Sequence, residues 1–298
     1  TQPLTRDTER RLAGFRARQL EDSARLNLRW NWDTPFLLSP HNPQVLYAGA
    51  NRVLKSTNRG EDLEPISPDL SYADTMKIRI STRETGGITT DATGAETYGT
   101  IVSLAESPRQ RGWLYAGTDD GRVWMTRDDG ATWTELTDRF QGVPRNTYVS
   151  RIEPSWHDEN VFYVTFDGHR TGDFTPYVFM TTDGGRTFGS IAANLPSGSI
   201  DFVHVIREDP VNPNLLCVGT DTGLYVSLDR GASWRRFMEG MATVPVHDLK
   251  IHPRDHQLIA GTHGRPILIV DIAPLQQHTG TAPPRQITFF EPKPALQF

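Results

Sequence analysis

From Trp30 onward, apolar runs of about five residues alternate with polar stretches rich in Gly, Pro, Asn and Asp, the pattern of short β-strands joined by tight turns. Five units align: PFLLSPHNPQVLYAGANRVLKS, IVSLAESPRQRGWLYAGTDDGRVWMT, VSRIEPSWHDENVFYVTFDG with PYVFMT, FVHVIREDPVNPNLLCVGTDTGLYVS and VHDLKIHPRDHQLIAGTHGRPILIV. Each has an entry strand, a second strand ending near a Gly and a third strand, and four run on into an aspartate turn and a fourth strand. The fifth runs into ILIVDIAPL and shows neither turn nor clear fourth strand. Its outer edge must be covered from elsewhere, because an open apolar edge invites association. The tail RQITFF from Arg285, the segment around Leu28 to Trp32 and another protein are the three candidates.

The turn is the most regular element. MTRDDGATW from Met125 has close copies in MTTDGGRTF from Met180 and VSLDRGASW from Val226, and a decayed one in KSTNRGEDL from Lys55. Gly130, Gly185 and Gly231 suit the positive φ of a tight strand connection. Asp128, Asp183 and Asp229 can turn their carboxylates back onto nearby backbone amides. Thr126, Thr181 and Ser227 precede them, and Thr132, Thr187 and Ser233 come after, each ahead of an aromatic: Trp133, Phe188 or Trp234. The aromatics begin a fourth strand and are placed to pack between repeats. A structural role therefore outweighs a catalytic one for these aspartates. Successive glycines Gly60, Gly130, Gly185 and Gly231 stand 70, 55 and 46 residues apart, the period of a four-stranded propeller blade.

The expected fold is thus all-β, a propeller of about five four-stranded blades over residues 30–275, closed alone or completed by a partner. Residues 1–29 form an arm whose stretch Thr5 to Leu26 has helical spacing at Ala13, Ala17, Leu20 and Ala24. Residues 276–298, with Pro283, Pro284, Pro292 and Pro294, read as an extended C-terminal arm. The segment Pro68 to Thr100 is too long for an ordinary blade connection, and such loops are more often functional than not.

Net charge narrows the partners. The 298 residues carry a formal −5, which argues against nucleic acid, although the first thirty residues hold seven Arg against four acids. No run is long and apolar enough to span a bilayer. Cys217 is the only cysteine, so an internal disulfide is impossible, and its apolar neighbours in LLCVGT suggest a buried thiol.

The turns resemble the Asp box, SxDxGxTW, of the bacterial neuraminidase repeat, with Phe188 in place of Trp in one copy and departures at Asn58, Asp62 and Leu63 in the first. Longer phrases, NWDTPFLLSPHNPQVLYAG, GITTDATGAETYGTI, GTDDGRVWMTRDDGATW and GTHGRPILIVD, are similar to the C-terminal half of large secreted bacterial sortilin-like (Vps10-like) glycosyl hydrolase repeat proteins. That resemblance implies a propeller and an extracytoplasmic, periplasmic or secreted location. Photosystem assembly factors are similar at the level of the repeat and act by docking on membrane complexes, which implies a membrane-extrinsic scaffold as one outcome.

Candidate chemistry must come from off the turns. Glu84, Glu96, Asp119, Asp120, Asp167 and Asp173 could supply a glycosidase pair, but their spacing does not require it. A sialidase would also carry an FRIP-like segment, which is absent, and a sortilin-type receptor would need a cysteine-rich module. His247, His252, His256 and His263 crowd the last unit at separations of 5, 4 and 7, which match no zinc template, so no metal or cofactor is assigned. The expectation is a non-catalytic scaffold that binds a protein partner, such as a membrane complex, with glycan binding or hydrolysis as the alternative. Its binding face, opposite the Asp turns, would hold Arg52, Asp119, Asp120, Arg122, Asp167, His169, Arg170, Asp173, Asp221, His263 and Arg265.

Overall fold

The computed structural model describes residues 27–80, 97–197, 200–237, 242–278 and 290–291. The helix expected within residues 5–26, most of the C-terminal arm with RQITFF, and Glu84 and Glu96 lie outside them. The fold class is all-β, a five-bladed β-propeller, with every blade an antiparallel meander. Blade 1 holds β1 (Phe36–Ser39), β2 (Asn42–Gly49), β3 (Val53–Ser56) and β4 (Glu64–Pro65). Blade 2 holds β5 (Ile101–Glu106), β6 (Leu114–Thr118), β7 (Val123–Thr126) and β8 (Thr134–Glu135). β9 (Tyr148–Pro154), β10 (Phe162–Asp167), β11 (Tyr177–Thr181) and β12 (Gly189–Ser190) make blade 3. β13 (Val203–Glu208), β14 (Leu216–Thr220), β15 (Gly223–Ser227) and β16 (Arg235–Arg236) make blade 4. Among the described residues blade 5 has three strands, β17 (Val246–His252), β18 (Gln257–Thr262) and β19 (Leu268–Asp271). Among the described residues no helix is long and apolar enough to cross a membrane.

The chain divides into two compact units, residues 1–106 with 112–135, and residues 107–111 with 136–298. In the first, blades 1 and 2 share a core of Val45, Tyr47, Val53, Leu70, Ile101, Leu114 and Ala116. In the second, one cluster runs through Tyr163, Val178, Ile206, Val218 and Trp234, and another through Val205, Cys217, Val226, Leu249 and Leu258. Cys217 is the buried core thiol its neighbours announce, and burial pushes its pKa up.

The aspartate turns join third to fourth strands, as their sequence requires. In blade 2 the Thr126 hydroxyl donates to Asp128 Oδ1 (2.7 Å) and accepts the Gly130 amide (3.1 Å). Asp128 then accepts the amide and hydroxyl of Thr132 (2.8 and 2.6 Å). Asp183 and Asp229 repeat this with Thr187 and Ser233. These bonds favour the ionised carboxylate, so the Asp128 pKa falls to about 2, and those of Asp183 and Asp229 are also lowered. Positive φ is shared by two residues, since Asp129 and Arg230 precede Gly130 and Gly231 with φ of 59° each.

The decayed turn of blade 1 keeps a bonded turn by moving its carboxylate four residues along. Asn58 stands where the aspartate would be, and Asp62 supplies the carboxylate from the position of Thr132. Asp62 accepts the Ser56 hydroxyl and the amides of Thr57 and Asn58 (both 3.1 Å), while the Gly60 amide still reaches Ser56 Oγ (2.8 Å). Trp133 and Trp234 each reach the residue just past the preceding blade's fourth strand, donating Nε1–H to Ile66 O (2.9 Å) and Ile191 O (2.7 Å). Phe188, lacking a donor, packs instead on Phe140 with ring centroids 4.2 Å apart.

The segment at Leu28 to Trp32 does not supply the missing strand of blade 5. It is not a strand, and Arg29 and Asn31 are bound to Asn51, Ser71, Gly99 and Thr100 within the first unit. After β19 a short helix, Ala273–Gln276, returns to blade 4, where Gln276 donates to Asp209 (2.7 Å).

Candidate functional site

At the end of each blade remote from the Asp turns, the first strand of blades 2 to 5 contains a β-bulge. Val102, Ser150, His204 and His247 are the residues left without a ladder partner in β5, β9, β13 and β17. A bulge inserts one extra residue and re-aims its side chain. Within the second unit it therefore brings two histidines, 43 positions apart in sequence, onto one face. The close approach of their strands depends on Gly219, where a Cβ would meet the Val246 carbonyl oxygen at 2.4 Å.

The result is a ladder of rings. His169 stacks on Phe202 at 4.6 Å between centroids, Phe202 meets His204 edge-on at 4.8 Å, His204 stacks on His247 at 4.2 Å, and His247 on His263 at 5.2 Å. Two carboxylates flank it. Asp167 Oδ1 accepts from the amide and ring Nδ1 of His169 (2.9 and 2.7 Å), and His204 Nε2 lies 3.2 Å from Asp221 Oδ1. Asp221 sits at the tip of the β14–β15 hairpin, which Asp201 holds by accepting the hydroxyls of Thr220 and Thr222. Below the ladder, Arg207 bridges Glu153 (2.7 Å) and Asp248 (3.0 Å), and Arg151 also reaches Asp248 (2.8 Å), tying together β9, β13 and β17. Desolvation lowers the pKa of His204. Desolvation and then the neighbouring His204 and His263 lower that of His247, so both are neutral imidazoles near pH 7.

Of the residues expected on this face, Asp167, His169, Asp221 and His263 come together in the ladder. Arg170 lies over the Tyr148 ring (4.8 Å), and Asp173 accepts the Tyr177 hydroxyl (2.8 Å) and the Thr175 amide (3.0 Å). Arg265 is exposed in the β18–β19 loop. His252 and His256 stand apart, the latter bonded to Gln276.

In the first unit the expected residues serve the fold. Asp119 accepts the amide and hydroxyl of Thr100 (2.8 and 3.1 Å), and burial, then the adjacent Asp120, pushes its pKa up to about 8. Asp120 accepts the Thr118 hydroxyl and the Tyr72 amide. Arg122 is clamped between the Tyr72 and Trp124 rings and paired with Glu135, and Arg52 donates to Ser67 O. Together these contacts fasten the 68–73 stretch of the long segment onto blades 1 and 2. Every described member of the candidate glycosidase set is thus bonded internally. His204 was missed among the sequence candidates, although FVHV and PVHD place Val-His at the same point of successive repeats.

No family model matches the chain. Over 144 residues it is 28% identical to a protein of Neosartorya fischeri named as a probable oligoxyloglucan-reducing end-specific xyloglucanase, a match covering 46% of this chain and 17% of the relative. The oligoxyloglucan-reducing end-specific xyloglucanase of Emericella nidulans is 27% identical over 145 residues, with 46% and 18% covered. The chain thus spans less than a fifth of the length of these curated relatives. Among solved structures, the GH74 xyloglucanase from Xanthomonas campestris aligns with a TM-score of 0.58 at 18% identity, over 79% of this chain and 36% of that one. An ancestral GH74 enzyme aligns at 0.56 and 16%, over 79% and 28%. At these identities the structural likeness is one of fold.

Proposed function

We propose that the chain is a non-catalytic binding unit that docks on a partner protein outside the cytoplasm, as a membrane-extrinsic component or assembly factor of a larger complex. The observation that carries this reading is the outer edge of blade 5. Ile267 and Ile269 are 68% and 60% exposed there, and no strand of the described residues pairs with the outer edge of β19. An extended apolar segment of a partner, added as the fourth strand, would bury them and satisfy the open ladder. The internal bonding of Asp119, Asp120, Asp167 and Asp173 supports binding over hydrolysis. The likeness of the turns to the Asp box of secreted bacterial proteins supports the extracytoplasmic placing.

The local identity to xyloglucanases favours one second reading, a glycan-binding or glycan-cleaving role. The two are separated by retention of a native membrane complex on immobilised protein, compared with Ile267→Lys and Ile269→Lys, alongside xyloglucan oligosaccharide binding and reducing-end release. Retention lost in both variants at unchanged melting temperature supports docking. Oligosaccharide turnover, or retention indifferent to both substitutions, refutes it.

A further inference from the structure

We propose that His204, Asp221 and His247 form a binding site for a divalent transition metal, with zinc as the best-suited ion. The three come from three different elements: the bulge of β13, the tip of the β14–β15 hairpin and the bulge of β17. Their ligand atoms all lie within 4.8 Å of one another, and the closest pair, His204 Nε2 and Asp221 Oδ1, is 3.2 Å apart. Two donors each about 2.1 Å from one tetrahedral ion are separated by about 3.4 Å, so this pair already stands at the spacing of two ligands on one ion. The His204 and His247 rings stack with centroids 4.2 Å apart, and rotation of the exposed His247 ring out of the stack would turn its nitrogen toward the ion.

Two imidazoles and one carboxylate make a borderline donor set that suits zinc and its first-row neighbours rather than calcium or magnesium, which prefer all-oxygen shells. Three protein ligands leave a fourth tetrahedral position open to solvent, where a water or a partner's donor group could bind. His263 stacks on the far side of the His247 ring at 5.2 Å between centroids, and the Asp201 bonds to Thr220 and Thr222 fix the hairpin carrying Asp221. A purely structural reading, in which the His204–Asp221 hydrogen bond only closes the hairpin, accounts for that pair. It gives no reason for a second histidine at the equivalent bulge of the next blade.

The test uses the purified full chain, stripped with EDTA and dialysed, titrated with zinc chloride by calorimetry, and loaded with cobalt(II) to read its visible ligand-field absorption. One zinc per chain is expected, with the intense visible bands of tetrahedral cobalt. His247→Ala and Asp221→Ala should each weaken zinc by at least about tenfold, since even loss of a supporting outer-shell partner costs that much. His252→Ala should leave affinity unchanged. Melting temperatures in EDTA confirm that each variant is folded. Should His204→Ala fail to fold, the other two still decide the matter. Absence of binding, several weak equivalents, or an affinity indifferent to His247→Ala and Asp221→Ala would overturn the assignment.

Discussion

The two ends of each blade obey different rules. At the Asp-turn end, blades 2, 3 and 4 repeat the same hydroxyl, carboxylate, glycine and hydroxyl with nearly identical bonds, and blade 1 closes its turn with the carboxylate of Asp62 bonded back to Asn58. At the bulge end, the backbone device repeats from blade 2 to blade 5 while its side chain changes from Val102 to Ser150, His204 and His247. Where side chains repeat, they close a turn and the fold depends on them. Where only the backbone repeats, the side chain is free to differ from blade to blade and can carry chemistry.

Gly219→Val is the harshest way to break this comparison, because it attacks the backbone device itself. Its Cβ would meet the Val246 carbonyl, and overpacking of this kind costs about 1–3 kcal/mol or more. Chemical denaturation should report that loss, together with a disrupted ladder. Next in size is Asp229→Ala, which strips the amide and hydroxyl of Ser233 of their acceptor and should cost about 1–2 kcal/mol. The turn aspartates also set an acid limit. Their folded pKa values lie below the unfolded value of about 3.9, so their stabilisation is present above that pH and is lost as pH falls toward about 2. Thermal melts between pH 5 and 2 should show this decline, shallower in Asp229→Ala.

Asp119 sharpens the contrast in the opposite sense. Its folded pKa is raised to about 8, so its stabilising share is complete below about pH 4 and fades as pH rises toward 8. Asp119→Asn can still accept the Thr100 amide and can donate to its hydroxyl, and should flatten that dependence. Little change in slope between pH 5 and 8 would show that the carboxyl is ionised throughout. Ser150→Ala, at the bulge of blade 3, should have the smallest effect of the set. It loses a hydroxyl bond to Val203 O (2.8 Å), about 1 kcal/mol by denaturant midpoint.

The fold was legible because each blade writes its own period: strand, Gly, strand, Asp turn, aromatic. The lapse of the repeat in blade 5 was also readable, from the missing turn after Val270, and the described residues place three strands there. The site was legible only in part. Loop residues Asp167, His169, Asp221 and His263 emerge from knowing which loops share a face, whereas His204 and His247 depend on a register shift inside a strand. Such a shift leaves only one break in alternation, which a strand of six or seven residues is too short to display clearly. Asp119 and Asp120 misled for the complementary reason. Two adjacent carboxylates in a loop look solvent-facing in sequence, yet Thr100, Thr118 and the Tyr72 amide draw them into the interior.

The most direct measurement is a pair of thermal melts in EDTA, Asp229→Ala beside His247→Ala. Asp229→Ala should lower the melting temperature by about 2–4 °C for each kcal/mol lost, and His247→Ala should stay close to the unsubstituted protein. A His247→Ala chain that melts earlier than Asp229→Ala would contradict the division between a turn end that holds the fold and a bulge end free to bind.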